Sequence, residues 1–599
     1  MTRFNSHFRT YASLFGAALV SVACAGSDGS SNSNSTDNQS GSTVLPDESD
    51  NNSLPALDND LQDNSAFYSA DGYDEVTMLD VLVRTATVAG PCTTEDISGC
   101  SLADILSDND GNDEFEPEID VHFSSADYSD DTNISNAILK QRGDTSRQAD
   151  QKSFAVKLDK GLPLWRNERR LQLNKHPYDV ERIRNKLSFD LMRGVEHLNS
   201  LRTQFVHLKI EDNGQTTDYG VYTHVEYVGD EYLANRGYDP DSAIYKTVNF
   251  TFDRLPDRLQ IDSDGEPVDE DLFERNLEIK NGDDHSALIE MLDALNDPDS
   301  DKAEVLEKHF NENNLVSWLA TNILLGNANT VYENYYVFNP TGSDDFYLLP
   351  WDYDSAFKTE ADPDNYTGQE QLRRRMSYGV SKWWESRLIR TWLQQPGAME
   401  TLQERVESLY NGALSPDRVS ALISQYQDTI QPYLLSAPDL QYLYGSDDQE
   451  RVVEWLANIE DMPGRVEENY QNFVNDPGWP MSFALKDSVN SNGTVRFSWS
   501  PSYDFQGDAL AYKLEVAATP AFENIIYTQT DIPDETQTGS DGEAEIQLEV
   551  PSASLGSGTY YWRVIAFEAD QPDQNWRPAY TRVSYNGEYY YGTAQLTLD

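Results

Sequence analysis

Cationic side chains are scarce in this sequence. Lys and Arg number 44 against 103 Asp and Glu, which leaves a formal net charge of −59 and a pI near 4.2. A field of that sign repels nucleic acid and anionic lipid, so nucleic-acid binding through overall charge and electrostatic membrane adsorption are excluded. The acidity favours solubility and names no substrate. Cysteine is almost missing, with only Cys24, Cys92 and Cys100 present. Only eight His occur and none forms a motif near Cys92 and Cys100, so a metal reading of those two is poor. In an oxidising compartment Cys92 and Cys100 read instead as a local disulfide closing a short loop. Long apolar runs are also absent after the N-terminus, so no later stretch is expected to span a bilayer.

What the N-terminus does contain is a short apolar, small-residue run at 11–22, preceded by Arg3 and Arg9 and followed by Ala23-Cys24. This is a signal-peptide pattern, too short for a spanning helix. It resembles a bacterial lipoprotein signal, in which Cys24 becomes the lipidated first residue. Ser21 departs from the aliphatic residue usual three places before that Cys, and ordinary secretion is the rival reading. One lipidated terminus anchors a protein without threading it. The expectation is an exported protein of the bacterial cell envelope that meets the membrane only through a lipid anchor.

At 599 residues the chain has room for about three or four domains. Residues 25–66 are rich in Ser, Asn, Asp and Gly and read as a disordered tether. Residues 67–115 form an acidic region with the Cys92/Cys100 loop. Its run at 107–114 and the Asp262-Ser-Asp-Gly-Glu266 turn look like calcium loops at first sight. The glycine of the first is misplaced for an EF-hand and no matching Glu follows, so solvated acidic turns are expected at both. Residues 116–478 place strands before helices without βαβ alternation, which indicates an α+β domain. Strand signals lie at 119–123, 138–146, 152–158, 205–210 and 219–226. Helical periodicity lies at 179–195, 288–295, 305–325 and on to about 473, with Asp179 placed to cap the first of these. Residues 479–599 carry four period-two stretches separated by turn residues, which predicts a small all-β sandwich of immunoglobulin-like type.

The chemistry concentrates at 347–357. Three apolar residues lead into Pro350-Trp-Asp-Tyr-Asp354, and Asp352 and Asp354 fall on one side of an extended chain. Paired carboxylates at a strand end suit a hard divalent cation, and Mg²⁺ commonly takes one or two carboxylates plus phosphate oxygens. A solvated turn after a core strand is the alternative. Far upstream, residues 140–193 hold 14 Lys/Arg and 7 Asp/Glu, a local balance of +7 within a chain of −59. Such a reversal suits a polyanion such as a nucleoside triphosphate, or else a basic face that pairs with the protein's own acids.

Several segments in order carry a resemblance. They are Arg142-Gly143, Lys152-Ser-Phe, Leu171-Gln-Leu-Asn174, Asp179 before an Arg-bearing helix, Gly220-Val-Tyr222 with Glu226, Tyr245-Lys246, Asn334-Tyr-Tyr and Pro350-Trp-Asp-Tyr-Asp354. Together they resemble the CotH family of atypical kinases described from spore coats. The C-terminal sandwich resembles a fibronectin type III module, through Trp499 and the Tyr560-Tyr-Trp-Arg-Val strand.

The resemblance implies an atypical protein-kinase-like fold, ATP with Mg²⁺ (or Mn²⁺) as cofactor, and phosphorylation of protein hydroxyls. It implies that Arg142, Lys152 and Lys246 hold nucleotide phosphates, that Glu226 orients such a cation, and that Asp352, Asp354 and Asn334 carry metal. It also places Asn327 or Asn329 where the family commonly has an Asp as catalytic base. An amide cannot accept the hydroxyl proton, and Glu333 is badly placed to substitute. A surface binding or adhesion protein, gripping protein or polysaccharide through its scaffold and sandwich, is the competing expectation. A hydrolase using Asp352 and Asp354 is the third, weakened by the lack of His ligands.

Overall fold

The computed structural model describes Leu61, Tyr68, Ser69 and residues 72–598, apart from 87–89, 110–114, 129–133, Asp144, Pro477 and Asp541. The signal segment with Cys24, nearly all of the tether and most of the 107–114 acidic run lie outside the described residues.

Alternating apolar residues build the first layer. Ile119, Val121 and Phe123 point inward from one strand, as Phe154, Val156 and Leu158 do from another. The strands are β1 (Met78–Thr85), β2 (Glu118–Ser125), β3 (Ala137–Arg142), β4 (Ser153–Leu158), β5 (Arg170–Asn174), β6 (Thr203–Asp212) and β7 (Gln215–Glu226). They close into a barrel in the order β1-β2-β3-β4-β5-β7-β6. Every pairing is antiparallel except β1 with β6, which runs parallel and seals the ring. β1 comes from the region read as an acidic N-terminal segment. It is a stave of the barrel, because Val81 and Val83 add to the same core as Leu139, Leu171 and Leu208. Cys92 and Cys100 are joined by a disulfide, with Cα atoms 4.6 Å apart.

β6 and β7 form the expected hairpin around Asn213-Gly214. The register shifts near Gly220, whose φ is +77. A Cβ there would sit 2.0 Å from Asp439 Oδ2, so only glycine admits that carboxylate to the Val221 amide. Between β5 and β6 lies helix α1 (Arg184–Met192). It starts five residues after Asp179, whose Oδ2 accepts the Arg184 amide at 2.9 Å. Asp179 therefore serves the helix start from within the preceding turn.

A second sheet has the order β11-β10-β8-β9, from β8 (Ala243–Thr247), β9 (Leu277–Asn281), β10 (Tyr335–Asn339) and β11 (Tyr347–Pro350). The 305–325 periodicity resolves into Lys302–His309 and α2 (Glu312–Leu325). The break falls at Phe310-Asn311, where Asn311 caps the second helix through the Asn314 amide. Helices α3 (Ala398–Tyr410), α4 (Pro416–Leu434) and α5 (Asp448–Val474) follow. Their apolar stripes, such as Leu402, Val406 and Leu409, or Trp455, Ile459, Met462 and Val466, enter one large core with α2 and the second sheet.

Residues after 480 form a four-stranded and a five-stranded β-sheet around one core of Val495, Phe497, Trp499, Tyr512, Leu514, Trp562 and Val564, with a two-stranded sheet besides. The molecule is thus mixed α and β with a C-terminal all-β region. Among the described residues no helix is long and apolar enough to cross a membrane.

Candidate functional site

The β10–β11 hairpin sets the register of the site. Tyr335 pairs with Pro350, so Asn334 and Asp352 leave the sheet at the same end. Lys246 on β8 stands opposite Tyr336. Both Asn334 and Asp352 have left-handed backbone, with φ of +67 and +54. Asn and Asp tolerate that region better than most side chains, and such conformations cluster at functional sites.

Asp352 and Asp354 are half-buried and close in charge terms. Burial, and next the charge of Asp354, pushes Asp352 up to about 7. His176, Arg142 and Lys246 oppose that rise, which places all three within electrostatic reach of Asp352. Burial also raises Asp354, but the neighbouring His176, with Lys358 and Arg184, outweighs it and holds this carboxyl below its usual range. His176 Nδ1 lies 3.6 Å from Asp354 Oδ2. Asn185 of α1 accepts the Tyr353 amide at 3.0 Å, and its Nδ2 stands 3.5 Å from Asp352 Oδ1. α1 thereby grips the loop between the two carboxylates. His176 and Asn185 carry no motif of their own in the sequence; only packing brings them here.

Arg142 ends β3 and enters the turn at Gly143, whose φ of +83 and contact with Ser146 leave no room for a side chain. Lys246 pairs with Glu278 Oε2 at 3.0 Å. Arg142, Lys246, Asn334, Asp352 and Asp354 therefore come together between the barrel and the second sheet.

Three other residues lie elsewhere. Lys152 precedes β4 and points to the Asn109 amide oxygen at 2.6 Å and to the Arg147 carbonyl. Glu226 ends β7 fully buried, clamped by Arg202 Nε and Arg236 Nη2 at 2.9 Å each, so its partners are neither Arg142 nor Lys152. Asn329 lies exposed in a 3₁₀ turn, Ala328–Val331, five residues before Asn334. Glu333 is exposed as well.

Several cations of the basic stretch are neutralised internally. Lys140 and Arg147 meet Glu116, Arg166 meets Asp127, Lys175 meets Asp439, Arg184 meets Glu181, and Lys186 meets Asp190. The local +7 is in part a basic face paired with Glu116, Asp127 and Asp439 from other segments, and with Glu181 and Asp190 of its own.

A divalent cation suits the carboxylate pair on the chemistry of the donors. Two acids share a half-buried site, and one is held toward its neutral form by burial and by its neighbour, a cost that an added positive charge relieves.

The CotH kinase protein family profile matches residues 139–474, more than half of the chain. Inner spore coat protein H of Bacillus subtilis (strain 168) is 28% identical over 222 residues, which cover 37% of this chain and 58% of that protein. The chain thus spans less than two thirds of the curated relative it matches. With the family profile running from β3 through α5, the chain belongs to the CotH kinase protein family.

Proposed function

We propose that this protein is an exported, lipid-anchored CotH-type kinase-like protein that binds ATP–Mg²⁺ (or Mn²⁺) between the barrel and the second sheet. The observation that carries the reading is the convergence of Arg142 and Lys246 on Asp352 from opposite layers. Asp352, Asp354 and Asn334 would hold the metal, and Arg142 and Lys246 the phosphates. Bound ATP supplies the phosphoryl group. The protein's share is positioning and neutralisation: two cations face the anion, two carboxylates face the metal, and Asn185 and His176 keep those carboxylates in place. A protein hydroxyl is the proposed acceptor. The spore-coat relative and the signal-like N-terminus support a place at the cell envelope, with Cys24 as the lipidated residue.

One observation favours a second reading, a catalytically impaired surface protein that binds protein or polysaccharide through its scaffold and sandwich. Asn327 is a buried amide and Asn329 an exposed one at the two positions expected to hold a carboxylate base. Calorimetry with ATP–Mg²⁺ and a labelled-ATP phosphorylation assay separate the two. Wild type should bind, and Asp352→Ala should lose binding. Phosphate transfer that appears or rises in Asn329→Asp supports an impaired native site. Wild type that binds no nucleotide ends the kinase-like reading.

A further inference from the structure

Helix α5 carries a polar residue where its own pattern asks for an apolar one. Trp455, Ile459, Met462, Val466 and Phe473 are buried along one stripe at steps of four and three, and Asn469 takes the place between the last two. Asn469 is only 8% exposed. A buried amide costs stability unless its polar atoms are bonded, so its partners show what it serves. Its Nδ2 donates to the Leu324 carbonyl at 3.1 Å and to the Lys358 carbonyl at 3.0 Å.

Those carbonyls belong to the two stretches that bear the donors of the cleft. Leu324 lies in the last turn of α2, and the chain runs on from there to Asn334. Lys358 lies in the loop that begins at Asp352 and Asp354. The two stretches meet at Gly326. Its φ is +58, and a Cβ there would overlap the Lys358 oxygen and stand 2.6 Å from Asn469 Nδ2. The Phe357 amide donates to the Leu325 carbonyl across the same contact.

Neighbouring turns of α5 repeat the contact. Arg465 Nη1 donates to the Phe357 carbonyl at 3.4 Å, and Asn472 Nδ2 to the Glu360 carbonyl at 3.0 Å. Arg465, Asn469 and Asn472 fall at i, i+4 and i+7 on one side of the helix and meet the loop in chain order. From α1, Arg184 Nη1 donates to the Ala356 carbonyl at 2.9 Å. Buried Glu181 holds Arg184 and Arg465 at 2.6 and 3.0 Å. Phe357 itself has φ of +58, which a bulky residue keeps only where its surroundings impose it.

We propose that Asn469 is a positioning residue of the nucleotide site: with Arg465 and Asn472 it holds the 352–360 loop against the end of α2, and so sets Asn334 against the Asp352/Asp354 pair. The loop has no helix or sheet of its own to fix it. Residues that orient metal ligands without touching the metal govern its affinity nearly as the ligands do. The role rests on the reading of Asp352, Asp354 and Asn334 as metal donors; the clamp on the loop does not.

The test titrates the full chain with Mn²⁺–ATP, following free Mn²⁺ by electron paramagnetic resonance, and measures amide hydrogen exchange at 352–360 without nucleotide. Asn469→Ala should weaken Mn²⁺–ATP binding ~10-fold and speed exchange at 352–360 above the rest of the CotH domain. Val466→Ala opens the same core and keeps these donors. It should lower the thermal midpoint while both readouts stay at wild-type values. Asn472→Ala, at a half-buried side chain, should move both readouts the same way by less, and it stands in for Asn469→Ala if that chain does not fold. A folded Asn469→Ala chain, or failing that a folded Asn472→Ala chain, with wild-type affinity and exchange overturns the positioning role. So does a Val466→Ala chain that moves both readouts as far. Wild type that binds no Mn²⁺–ATP ends the nucleotide reading, and exchange at 352–360 then decides the clamp by itself.

Discussion

Lys175 shows how a single residue in the basic stretch serves the fold rather than a ligand. Its ammonium is buried against Asp439 at 2.6 Å and against the carbonyls of Tyr219 and Val221. Burial lowers its pKa from 10.5 to about 8, against the pull of Asp439. Between those values the unfolded chain binds the proton and the folded chain releases it, so this group's contribution to stability rises with pH across the window. Urea unfolding at pH 8, 9 and 10 should show wild type gaining on Lys175→Met by at most about 1.4 kcal/mol per pH unit. Equal slopes for the two chains would rule out Lys175 as the titrating group.

At the scale of elements, the end of β7 is held by charge. Glu226 accepts from the Arg202 amide and from both Arg202 and Arg236 guanidinium groups, which bind β7 to the segment entering β6 and to the helix Asp230–Arg236. Burial raises its pKa, and Arg236 and then Arg202 lower it further than burial raises it. Glu226→Ala removes the carboxylate that two buried guanidinium groups share, leaving Arg202 with Glu168 and Arg236 with the Ser200 carbonyl, and chemical denaturation should show a loss of about 3 kcal/mol. ATP–Mg²⁺ affinity of the folded fraction, measured well below the unfolding midpoint, should stay within about threefold of wild type, since ~1.4 kcal/mol is a tenfold change. A collapse of affinity with unchanged stability would return Glu226 to the nucleotide. The hairpin β10–β11 has the opposite character. Its register sets Asn334 beside Asp352, so its contribution to the site is geometric.

At the scale of the whole molecule, the CotH domain and the C-terminal all-β region are joined through a buried arginine. Arg577 donates Nε to the Pro480 carbonyl at 3.0 Å and Nη1 to the carbonyls of Arg375 and Tyr378, with Trp479 packed nearby. Burial lowers its pKa to about 10, while Asp476 opposes the fall. Arg577→Met removes these bonds and the countercharge of Asp476. Its expected outcome is a stability loss of about 3 kcal/mol and faster proteolysis around 475–480, read by calorimetry and mass spectrometry. A single unshifted transition with unchanged cleavage would show that docking does not depend on Arg577. The acidity of the chain finds a use at this scale too. Asp108, Glu116, Asp127 and Asp439 are drawn from other segments to neutralise the basic run.

Local pattern alone located the strands and singled out the Asp352/Asp354 pair. Period-two alternation in 119–123 and 152–158 is dictated by side chains that must alternate across a strand, whereas the expected extended chain through Asp352 and Asp354 gives way to a left-handed Asp352 that Asn185 braces. Tertiary structure alone decided which charges face the cleft. Arg142, Lys152, Lys246 and Glu226 look alike as charged residues in a row of motifs. Strand register and burial turn Arg142 and Lys246 toward Asp352, and Lys152 and Glu226 toward partners of their own. Tertiary structure also decided that β1 seals the barrel and that His176 and Asn185 brace the carboxylates, because those contacts join residues up to 178 positions apart, beyond the reach of any local pattern.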